Sequence, residues 1–439
     1  MSYYNIHQRN IMEIEVHKFG GASVNSAMAV ENMASIVARV QAQSRAGKVI
    51  VVSAMGKTTN ALERLIPGVC EPEMREPLLA DVIEYHLQIL RHLFRSPKAP
   101  VYGLIKKLFD ELRSEIMAPA EGRDYNLLYD RVVPYGELLS TTIVSQYLMQ
   151  QGIDCKWLDV REVITTNEQH RAALVDMEAS GRNTKQLRTD MTEGKVVVTQ
   201  GFIASAHDGS TTTLGREGSD YSAAVLAYLL DSKSVTIWKD VEGFLNADPK
   251  YFHNTVKVSQ IPYSEAIELA YYGASIIHPK TVKPLQNKHI PLYIRSFVTP
   301  EREGSAVGEF DKIEPQTPLY IFKRNQVLVS VMPKDFSFIA EDNLEVIFAE
   351  LARLNLKVNL MQNSALSFSF CVDYNEVLLK ELIERLQERF IVKYNQEMEL
   401  ITIRYYTQEV IDSIVEGREI VVEQRSRITA QVLVAQWCS

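Results

Sequence analysis

The sequence predicts an α/β protein: a mainly parallel sheet sandwiched by helices, followed by two small α+β units of ferredoxin-like type. Apolar runs of strand length alternate with helical apolar periodicity through residues 14–294. A charged stretch punctuated by Pro and Gly follows at 299–318, and the spacing of the elements changes beyond it. At 439 residues the chain is long for one domain. We therefore predict a larger domain at 1–312 and a second region at 313–439.

The N-terminal part begins as strand, helix, strand. Ile14 and Val16 alternate with charged residues, and apolar residues recur at helical spacing from about residue 26 to 44. The continuous apolar run at 49–52 is typical of a strand that is covered on both faces. This order predicts the start of a parallel sheet.

The remaining elements of the larger domain follow the same pattern. Residues 72–150 read as mostly helical, with leucines at helical spacing. Further strands are predicted at 155–159, 196–199, 235–238 and 290–294. Helical patterns separate these strands, as expected for a sheet of parallel character.

The C-terminal region repeats a shorter order of elements. Strands are predicted at 327–331, 358–361, 366–372 and 391–394, with helices at 344–354 and 377–390. A further strand at 400–405, a helix at 408–415 and strands at 420–423 and 428–434 form much of a second copy. The order is that of a split βαβ unit. It favours a regulatory pair of units, although a plain structural domain has the same fold.

Composition excludes several classes of protein. The formal charge of −8, from 47 basic and 55 acidic residues, argues against a nucleic-acid binder. The four cysteines are scattered without zinc spacing, which suits a reducing cytosol. The polar start at 1–10 contains no signal-peptide core, and no apolar run reaches membrane-spanning length. We expect a soluble cytoplasmic protein that binds neither membranes nor nucleic acid.

The first strand ends in a turn suited to a phosphate. Lys18 supplies positive charge, and Gly20 and Gly21 lack the Cβ atoms that would keep backbone N–H groups away from an anion. A helix follows Ser23, so the turn lies near a helix N-terminus. An ordinary turn at a strand end is the alternative for these residues taken alone.

Two further segments carry charges suited to a small zwitterionic ligand. Glu137 lies in the first turn of a predicted helix, where it either complements the helix dipole or holds a substrate ammonium. In the hydroxyl-rich stretch 211–222, two glycines bracket Arg216, and Asp220 stands at a helix start. Because a guanidinium can bind a carboxylate through two parallel hydrogen bonds, Arg216 is a candidate carboxylate-binding residue. Asp220 is either a helix cap or a functional acid.

Loops that follow strands are where ligands bind in open α/β sheets. The segment 238–243 follows a predicted strand, 246–250 forms a second turn, and a glycine-led turn enters a helix at 273–280. One motif is rejected. The Gly-Lys-Thr at 56–58 imitates the end of a P-loop, but Val51 stands where that motif needs its first glycine.

Taken together and in this order, these segments resemble the aspartate kinases of the amino acid kinase superfamily. The family patterns are matched at 18–24, 136–140, 215–220, 238–243, 248–249 and 273–279. The C-terminal units resemble the paired ACT domains of that family. The resemblance implies ATP-dependent phosphorylation of the β-carboxylate of L-aspartate, the first step towards lysine, threonine and methionine. It also implies Mg²⁺ carried by the ATP phosphates, an amino-acid effector at the ACT domains, and a homodimer or a higher homo-oligomer.

The resemblance assigns roles to individual residues. Lys18 and Asp220 would be catalytic, with Lys18 on the ATP phosphates and Asp220 orienting Lys18 or the Mg²⁺ shell. Arg216 would hold the α-carboxylate of aspartate and Glu137 its ammonium. The expected aspartate-binding residues are Ser53, Thr59, Glu137, Phe202, Arg216 and Ser219. The expected nucleotide-binding residues are Lys18, Gly20, Gly21, Lys239, Asp240, Lys250, Ser275 and Lys280.

The chain departs from the family pattern near the nucleotide. Ala22 stands where many members carry threonine, which removes a hydroxyl near the phosphates. Ser275 replaces the lysine usual in Gly-Ala-Lys, and Lys280 or Lys239 would supply the missing charge. These changes affect the expected ATP affinity or rate rather than the family assignment.

A third departure concerns regulation. In lysine-inhibited members an aspartate follows the valine of the second ACT strand and can pair with the effector ammonium. In this chain the neutral Asn359 follows that valine. We expect the effector region at Asn359, Asn363 and Ser364, with weak or absent inhibition by lysine.

Two other functions are compatible with these residues. One is a related kinase that acts on another carboxylate or on a nucleoside monophosphate. The ACT-like units and the pairing of Arg216 with Glu137 argue against it. The other is a non-catalytic amino-acid sensor that keeps the fold without turnover, which is motivated by Ala22 and Ser275.

Overall fold

The structure is a computed structural model that describes residues 13–118, 122, 124–191, 195–252, 254–274, 276–335 and 337–435. The chain divides into two compact units. The N-terminal unit comprises Met1–Phe244, Lys257–Ile267 and Ile276–Pro315. The C-terminal unit comprises Leu245–Val256, Glu268–Ser275 and Gln316–Ser439.

Strands and helices are mixed up to residue 308, with a mainly helical stretch at 58–150. The strands are Ile14–Phe19 (β1), Gly47–Val52 (β2), Cys155–Leu158 (β3), Thr165–Thr166 (β4), Val196–Gln200 (β5), Ile203–Ala206 (β6), Thr211–Thr213 (β7), Ser234–Lys239 (β8), Phe244–Leu245 (β9), Lys257–Val258 (β10), Gln260–Pro262 (β11), Leu292–Ser296 (β12) and Ser305–Gly308 (β13). The helices are Ala27–Gln43 (α1), Thr58–Glu63 (α2), Pro72–Leu93 (α3), Pro100–Met117 (α4), Tyr125–Val132 (α5), Tyr135–Gln150 (α6), Met177–Asp190 (α7), Gly218–Leu230 (α8), Tyr263–Tyr272 (α9) and Pro279–Asn287 (α10).

An eight-stranded sheet organises the N-terminal unit. Its strand order is β11-β13-β12-β8-β1-β2-β5-β3, so that β1 lies in the middle. β12 and β13 pair antiparallel, whereas the other neighbouring strands pair parallel. The predicted mainly parallel sheet is therefore confirmed. β2 is buried along its whole length, as its continuous apolar sequence predicts.

The register of the central strands brings several chain segments to one edge of the sheet. Phe19 at the end of β1 pairs with Val52 on one side and with Trp238 on the other. Val52 in turn pairs with Gln200 at the end of β5. Because these strands are parallel, the loops that follow them emerge side by side.

Helix α1 shows how the sequence builds this layer. The hydroxyl of Ser26 accepts a hydrogen bond from the Ala29 N–H at 3.2 Å and caps the helix. The buried residues of α1 recur at helical spacing and pack in the same core as Phe19 and Trp238. The rings of Phe19 and Trp238 stack with centroids 5.8 Å apart. The predicted helix from about 26 to 44 is thus present.

The C-terminal unit contains an antiparallel sheet. The strands are Leu319–Pro333 (β14), Val358–Asn363 (β15), Phe368–Asp373 (β16), Phe390–Arg404 (β17), Ile420–Arg425 (β18) and Thr429–Ala435 (β19). The helices are Glu341–Arg353 (α11), Glu376–Gln387 (α12) and Gln408–Val415 (α13). The six strands are ordered β15-β16-β14-β17-β19-β18, and neighbouring strands pair antiparallel. The two predicted ferredoxin-like units are present and share one sheet.

One detail of the C-terminal prediction is wrong. The sequence predicts separate strands at 391–394 and 400–405, but β17 runs through both without a break. The intervening residues at 395–397 are exposed and polar, and Glu397 has a positive φ of 55°. A polar, irregular stretch resembles a loop in sequence, although in a long strand it only bends the ladder.

None of the described helices is both long enough and apolar enough to cross a membrane.

Candidate active site

A cavity of about 560 Å³ lies among the loops that follow β1, β2, β5 and β8. Ten residues predicted from the sequence line it together: Lys18, Gly21, Ser53, Thr59, Glu137, Phe202, Arg216, Ser219, Asp220 and Lys239. The other lining residues are Ala54, Gly56, Tyr129, Arg171, Gly215, Glu217 and Gly218. The cavity therefore brings together predicted residues from six separate chain segments.

The remaining candidates for nucleotide binding are not among the residues that line this cavity. Gly20, Asp240 and Lys280 do not line this cavity, and the exposed Lys250 belongs to the C-terminal unit. The Nζ of Lys280 donates to the Leu214 carbonyl at 3.1 Å, immediately before the loop that carries Arg216. Ser275 lies outside the described residues.

Two lysines and one aspartate form the charged centre of the cavity. The Nζ of Lys18 is 2.6 Å from Oδ1 of Asp220, and the Nζ of Lys239 is 3.6 Å from Oδ2. Burial acts to raise the pKa of Asp220, but the two ammonium groups outweigh it and hold that pKa below its ordinary value. Lys239 also donates to the Ile276 carbonyl. This centre thus holds two cations around one ionised carboxylate.

The turn after β1 needs a glycine for steric reasons. A Cβ on Gly21 would lie 2.8 Å from the carbonyl oxygen of Gly56 and 2.9 Å from that of Ala54. The Gly56 N–H also donates to the Gly21 carbonyl at 3.0 Å. The turns after β1 and β2 are therefore packed backbone to backbone beside Lys18.

Glu137 is a buried acid with an unused oxygen. Helix α6 places it in the first helical turn, 2% exposed, where its Oε1 accepts from the Ala54 N–H at 3.0 Å. Its Oε2 has no hydrogen-bond partner within the described part of the chain. Burial raises the pKa of Glu137 to about 8, even though the Ala54 N–H and the charge of Lys18 oppose the shift. A buried acceptor of this kind is suited to a cationic ligand group.

The loop at 214–217, which carries Arg216, is held by close glycine contacts. A Cβ on Gly201 would lie 2.5 Å from the Ser219 Cβ, and one on Gly218 would lie 2.6 Å from the Phe202 ring. The Leu214 N–H donates to the Phe202 carbonyl at 2.8 Å. The loop that carries Arg216 is consequently fixed against the loop that follows β5.

Three residues in the wall of the cavity have strained backbone. Nine described non-glycine residues have positive φ, and three of them line the cavity: Arg171 (69°), Phe202 (69°) and Glu217 (52°). Each such conformation costs about 1–3 kcal/mol, so the surrounding packing must hold it in place.

Sequence reasoning missed Tyr129, Arg171 and Glu217. Tyr129 reads as a core aromatic at helical spacing, and Arg171 follows a polar stretch without any motif. Glu217 stands between Arg216 and Gly218, at a position that the family pattern at 215–220 leaves unspecified. The periodicity of the chain gave no signal for Arg171, since its place in the cavity depends on tertiary contacts.

Asn359, the predicted regulatory residue, lies in a hydrogen-bonded cluster of the C-terminal unit. Its Oδ1 accepts from the Nζ of Lys323 at 2.7 Å. Its Nδ2 donates to Oε1 of Gln326 at 2.8 Å and to Oδ1 of Asp373 at 3.0 Å. We call these four residues the Asn359 cluster.

The other two regulatory candidates lie next to this cluster in sequence. Asn363 is exposed at the end of β15. The Ser364 Oγ donates to the Ser367 carbonyl at 3.1 Å and accepts from the Ser367 N–H at 3.1 Å, which closes a turn. The structure thus places the buried Asn359 in a partly buried cluster and the other two in an exposed turn.

Comparison with known proteins accounts for this arrangement. The model of the amino acid kinase family matches residues 13–296. Lysine-sensitive aspartokinase 3 of Escherichia coli (strain K12) is 34% identical over 369 residues, which are 82% of this chain and 78% of that protein. The chain belongs to the aspartokinases of the amino acid kinase family.

Solved aspartokinase structures are also similar over the whole length. E. coli aspartokinase III in complex with aspartate and ADP has a TM-score of 0.80 at 28% identity, covering 96% of both chains. The same protein in complex with lysine and aspartate has a TM-score of 0.79 at 29% identity, again covering 96% of both chains. The aspartokinase fold therefore extends through the C-terminal unit of this chain.

Proposed function

We propose that this aspartokinase transfers the γ-phosphoryl group of ATP to the β-carboxylate of L-aspartate. The supporting observation is that one cavity combines the Lys18–Asp220–Lys239 centre with the unpartnered carboxylate oxygen of Glu137 and the guanidinium of Arg216. Aspartate carries one ammonium and two carboxylates, and ATP carries a triphosphate. The charges around the cavity match that pair of substrates in kind.

The chemistry makes modest demands on the protein. A β-carboxylate is ionised at neutral pH and needs no general base. One of its oxygens forms a bond to the γ-phosphorus while the bond from that phosphorus to the bridging oxygen breaks, and ADP leaves. The chain must bring two anions together and stabilise the charge on the transferring group. Lys18 does this, and Asp220 holds its ammonium in place.

Arg216 and Glu137 orient the aspartate. The exposed Arg216 binds the α-carboxylate through its planar fork. The Oε2 of Glu137 accepts the substrate ammonium, which supplies the partner that this buried oxygen otherwise lacks. Ser53, Thr59, Phe202 and Ser219 line the cavity around the substrate.

Nucleotide binding is assigned to the turn after β1 and to cations around it. Gly20 and Gly21 approach the phosphates, and the family pattern adds Lys239, Asp240 and Lys280, while Lys250 and Ser275 stay predictions from the sequence. No group of three His, Cys, Asp or Glu side chains placed to hold a metal occurs among the described residues. Mg²⁺ is expected to be held mainly by phosphate oxygens, a common arrangement for this ion.

Regulation and assembly extend the proposal. The ammonium of Lys323 already occupies the acceptor oxygen of Asn359, so we propose that free lysine inhibits weakly or not at all. A homodimer or higher homo-oligomer and a cytoplasmic location complete the proposal. The free thiols of Cys70, Cys155 and Cys371 suit a reducing compartment.

Trapping of aspartyl phosphate with hydroxylamine tests the function. Purified protein with ATP, Mg²⁺ and aspartate should give the hydroxamate, and Arg216→Ala should lose most of this product at low aspartate. Product from glutamate but not from aspartate would reassign the substrate. No hydroxamate from either would favour an amino-acid sensor without turnover.

A further inference from the structure

Arg171 lines the same cavity as Arg216. The carbonyl oxygen of Arg171 is 3.3 Å from where a Cβ on Gly215 would lie, so the backbone of Arg171 lies close to the residue that precedes Arg216. The guanidinium of Arg171 lies over the rings of Tyr129 and Tyr125, 4.8 and 5.1 Å from their centroids. These rings support the planar group without neutralising its charge.

One buried carboxylate holds the backbone on both sides of this contact. Asp130 is fully buried, and its Oδ2 accepts from the Arg171 N–H at 2.9 Å and from the Thr213 N–H at 3.2 Å. Its Oδ1 accepts from the Thr213 hydroxyl at 2.6 Å, and Nδ1 of His170 lies 2.9 Å from Oδ2. Thr213 ends β7, which leads directly to Arg216. Asp130 thus fixes both the left-handed conformation of Arg171 and the start of the loop at 214–217, which carries Arg216.

The only ion pair of Arg171 in the described structure does not explain this arrangement. The Nη2 of Arg171 is 3.0 Å from Oε1 of Glu63, but the two side chains are 46% and 35% exposed. Exposed pairs of this kind add little to stability. A strained backbone, an aromatic support and a buried anchoring acid together serve to position an accessible guanidinium.

We propose that Arg171 is a substrate-binding residue that releases Glu63 and shares the α-carboxylate of aspartate with Arg216. This inference rests on the proposed aspartate kinase function. Two guanidinium groups at the α-carboxylate leave the β-carboxylate free to face Lys18. Glu63 competes with the substrate for Arg171, and Asp130 is a positioning residue for both arginines.

Two substitutions with opposite expected effects test whether Arg171 exchanges Glu63 for the α-carboxylate of aspartate. Arg171→Ala raises the KM for aspartate about tenfold and leaves kcat and the KM for ATP within about twofold. Glu63→Gln removes the competing carboxylate and lowers the KM for aspartate about twofold. A structural ion pair would make both variants worse in the same direction, and that outcome overturns the proposal.

Competitive inhibitors test binding without turnover. Succinate keeps both carboxylates of the substrate, whereas β-alanine keeps the ammonium and lacks the α-carboxylate. In Arg171→Ala the inhibition constant of succinate rises about tenfold, and that of β-alanine stays within about twofold. Equal weakening of both inhibitors would contradict a role at the α-carboxylate.

A positioning variant and a matched control complete the test. Asp130→Asn raises the KM for aspartate with little change in the KM for ATP, a split that general loosening of the fold would not produce. Arg113→Ala removes an exposed pair with Glu76 of similar exposure, 42% and 52%, outside the cavity, and leaves all constants unchanged. If Asp130→Asn fails to fold, the Arg171 and Glu63 variants still decide the question.

Failure of this inference is distinguishable from failure of the proposed function. If wild-type protein makes no hydroxamate from aspartate, the function itself is wrong. If wild-type protein is active and Arg171→Ala keeps the wild-type KM for aspartate, only the role of Arg171 is wrong.

Discussion

The cavity of the N-terminal unit and the Asn359 cluster of the C-terminal unit are both built from polar groups, but they satisfy them differently. In the cavity, Oε2 of the buried Glu137 has no hydrogen-bond partner among the described residues. In the cluster, Asn359 uses its oxygen on Lys323 and its amide on Gln326 and Asp373. The first arrangement leaves bonding capacity for a ligand, whereas the second consumes it within the chain.

Left-handed backbone occurs in the wall of the cavity and next to the cluster. Arg171, Phe202 and Glu217 line the cavity, whereas the four cluster residues have ordinary φ values and their neighbour Asn325 has a φ of 54°. Unsatisfied polar groups and strain both cost free energy, so they persist where function requires them. The comparison therefore predicts that substitutions in the cavity change catalysis and that substitutions in the cluster change stability.

The largest expected effect is at Lys18. Lys18→Ala removes the ammonium 2.6 Å from Asp220 and leaves a buried carboxylate with weaker compensation. We expect kcat to fall about a thousandfold, because a preorganised charge at the transferring group is lost. Hydroxamate formation measures the rate, and Lys106→Ala, at a lysine that is 75% exposed, is the control. A fall of less than tenfold would place the phosphate centre elsewhere.

The next largest effect tests the other half of the comparison. Asn359→Ala removes one acceptor of Lys323 and one hydrogen bond of the buried Gln326. We expect the free energy of unfolding to fall by about 2 kcal/mol, roughly thirtyfold in the equilibrium constant. Denaturant unfolding measures this change, and kcat should stay within about twofold.

A control on the same sheet calibrates that stability change. Ser369→Ala removes a single hydroxyl contact with Ser330 at 2.8 Å. Its cost is expected to be about 1 kcal/mol. If Asn359→Ala were no worse than Ser369→Ala, the Asn359 cluster would not be a satisfied network.

Much of the cavity follows from local sequence because it lies at strand ends. Lys18 lies near the end of β1, and Ser53 directly follows β2. Because these strands are parallel, both positions lie at the same edge of the sheet. The motif around Arg216 and Asp220 likewise belongs to one loop and one helix start. Local patterns therefore indicated the turn at Lys18 and the loop at Arg216, whereas the resemblance to aspartate kinases assigned residues such as Ser53.

The rest depends on tertiary contacts that no local pattern encodes. Arg171 enters the cavity through the buried carboxylate of Asp130, forty-one residues away in the chain. The segments 245–256 and 268–275 cluster with the C-terminal unit, although the sequence gives no composition change at either. The sequence predicts two strands in place of the long strand β17, because the exposed middle of β17 is polar. Such features follow from packing rather than from periodicity.

The KM for aspartate should depend on pH through the ionisation of Glu137. Its pKa of about 8 in the free protein means that the carboxyl is mostly protonated and neutral at lower pH. Only the ionised form accepts the substrate ammonium well, so the KM for aspartate should rise about tenfold between pH 7 and pH 6. The carboxylates of aspartate itself stay ionised over this range.

The Glu137→Gln variant separates this group from other titrations. An amide cannot ionise, so the KM of the variant should be higher than that of wild type at pH 8 and nearly independent of pH. KM values measured from pH 6 to pH 9 at saturating ATP provide the comparison. A wild-type slope that survives in the variant would assign the titration to another residue.

The smallest expected effect is that of free lysine on activity. A free ammonium must displace the tethered ammonium of Lys323 from Oδ1 of Asn359, and the tethered group has the higher effective concentration. We expect saturating lysine to change the rate by less than about twofold. Lys323→Ala leaves that oxygen accessible to a free amine, so any response to lysine should be larger in this variant than in wild type. Strong inhibition of the wild-type protein by lysine would show that the Asn359 cluster opens readily. The cluster would then bind a ligand as the cavity does, although its polar groups are bonded to one another in the free protein.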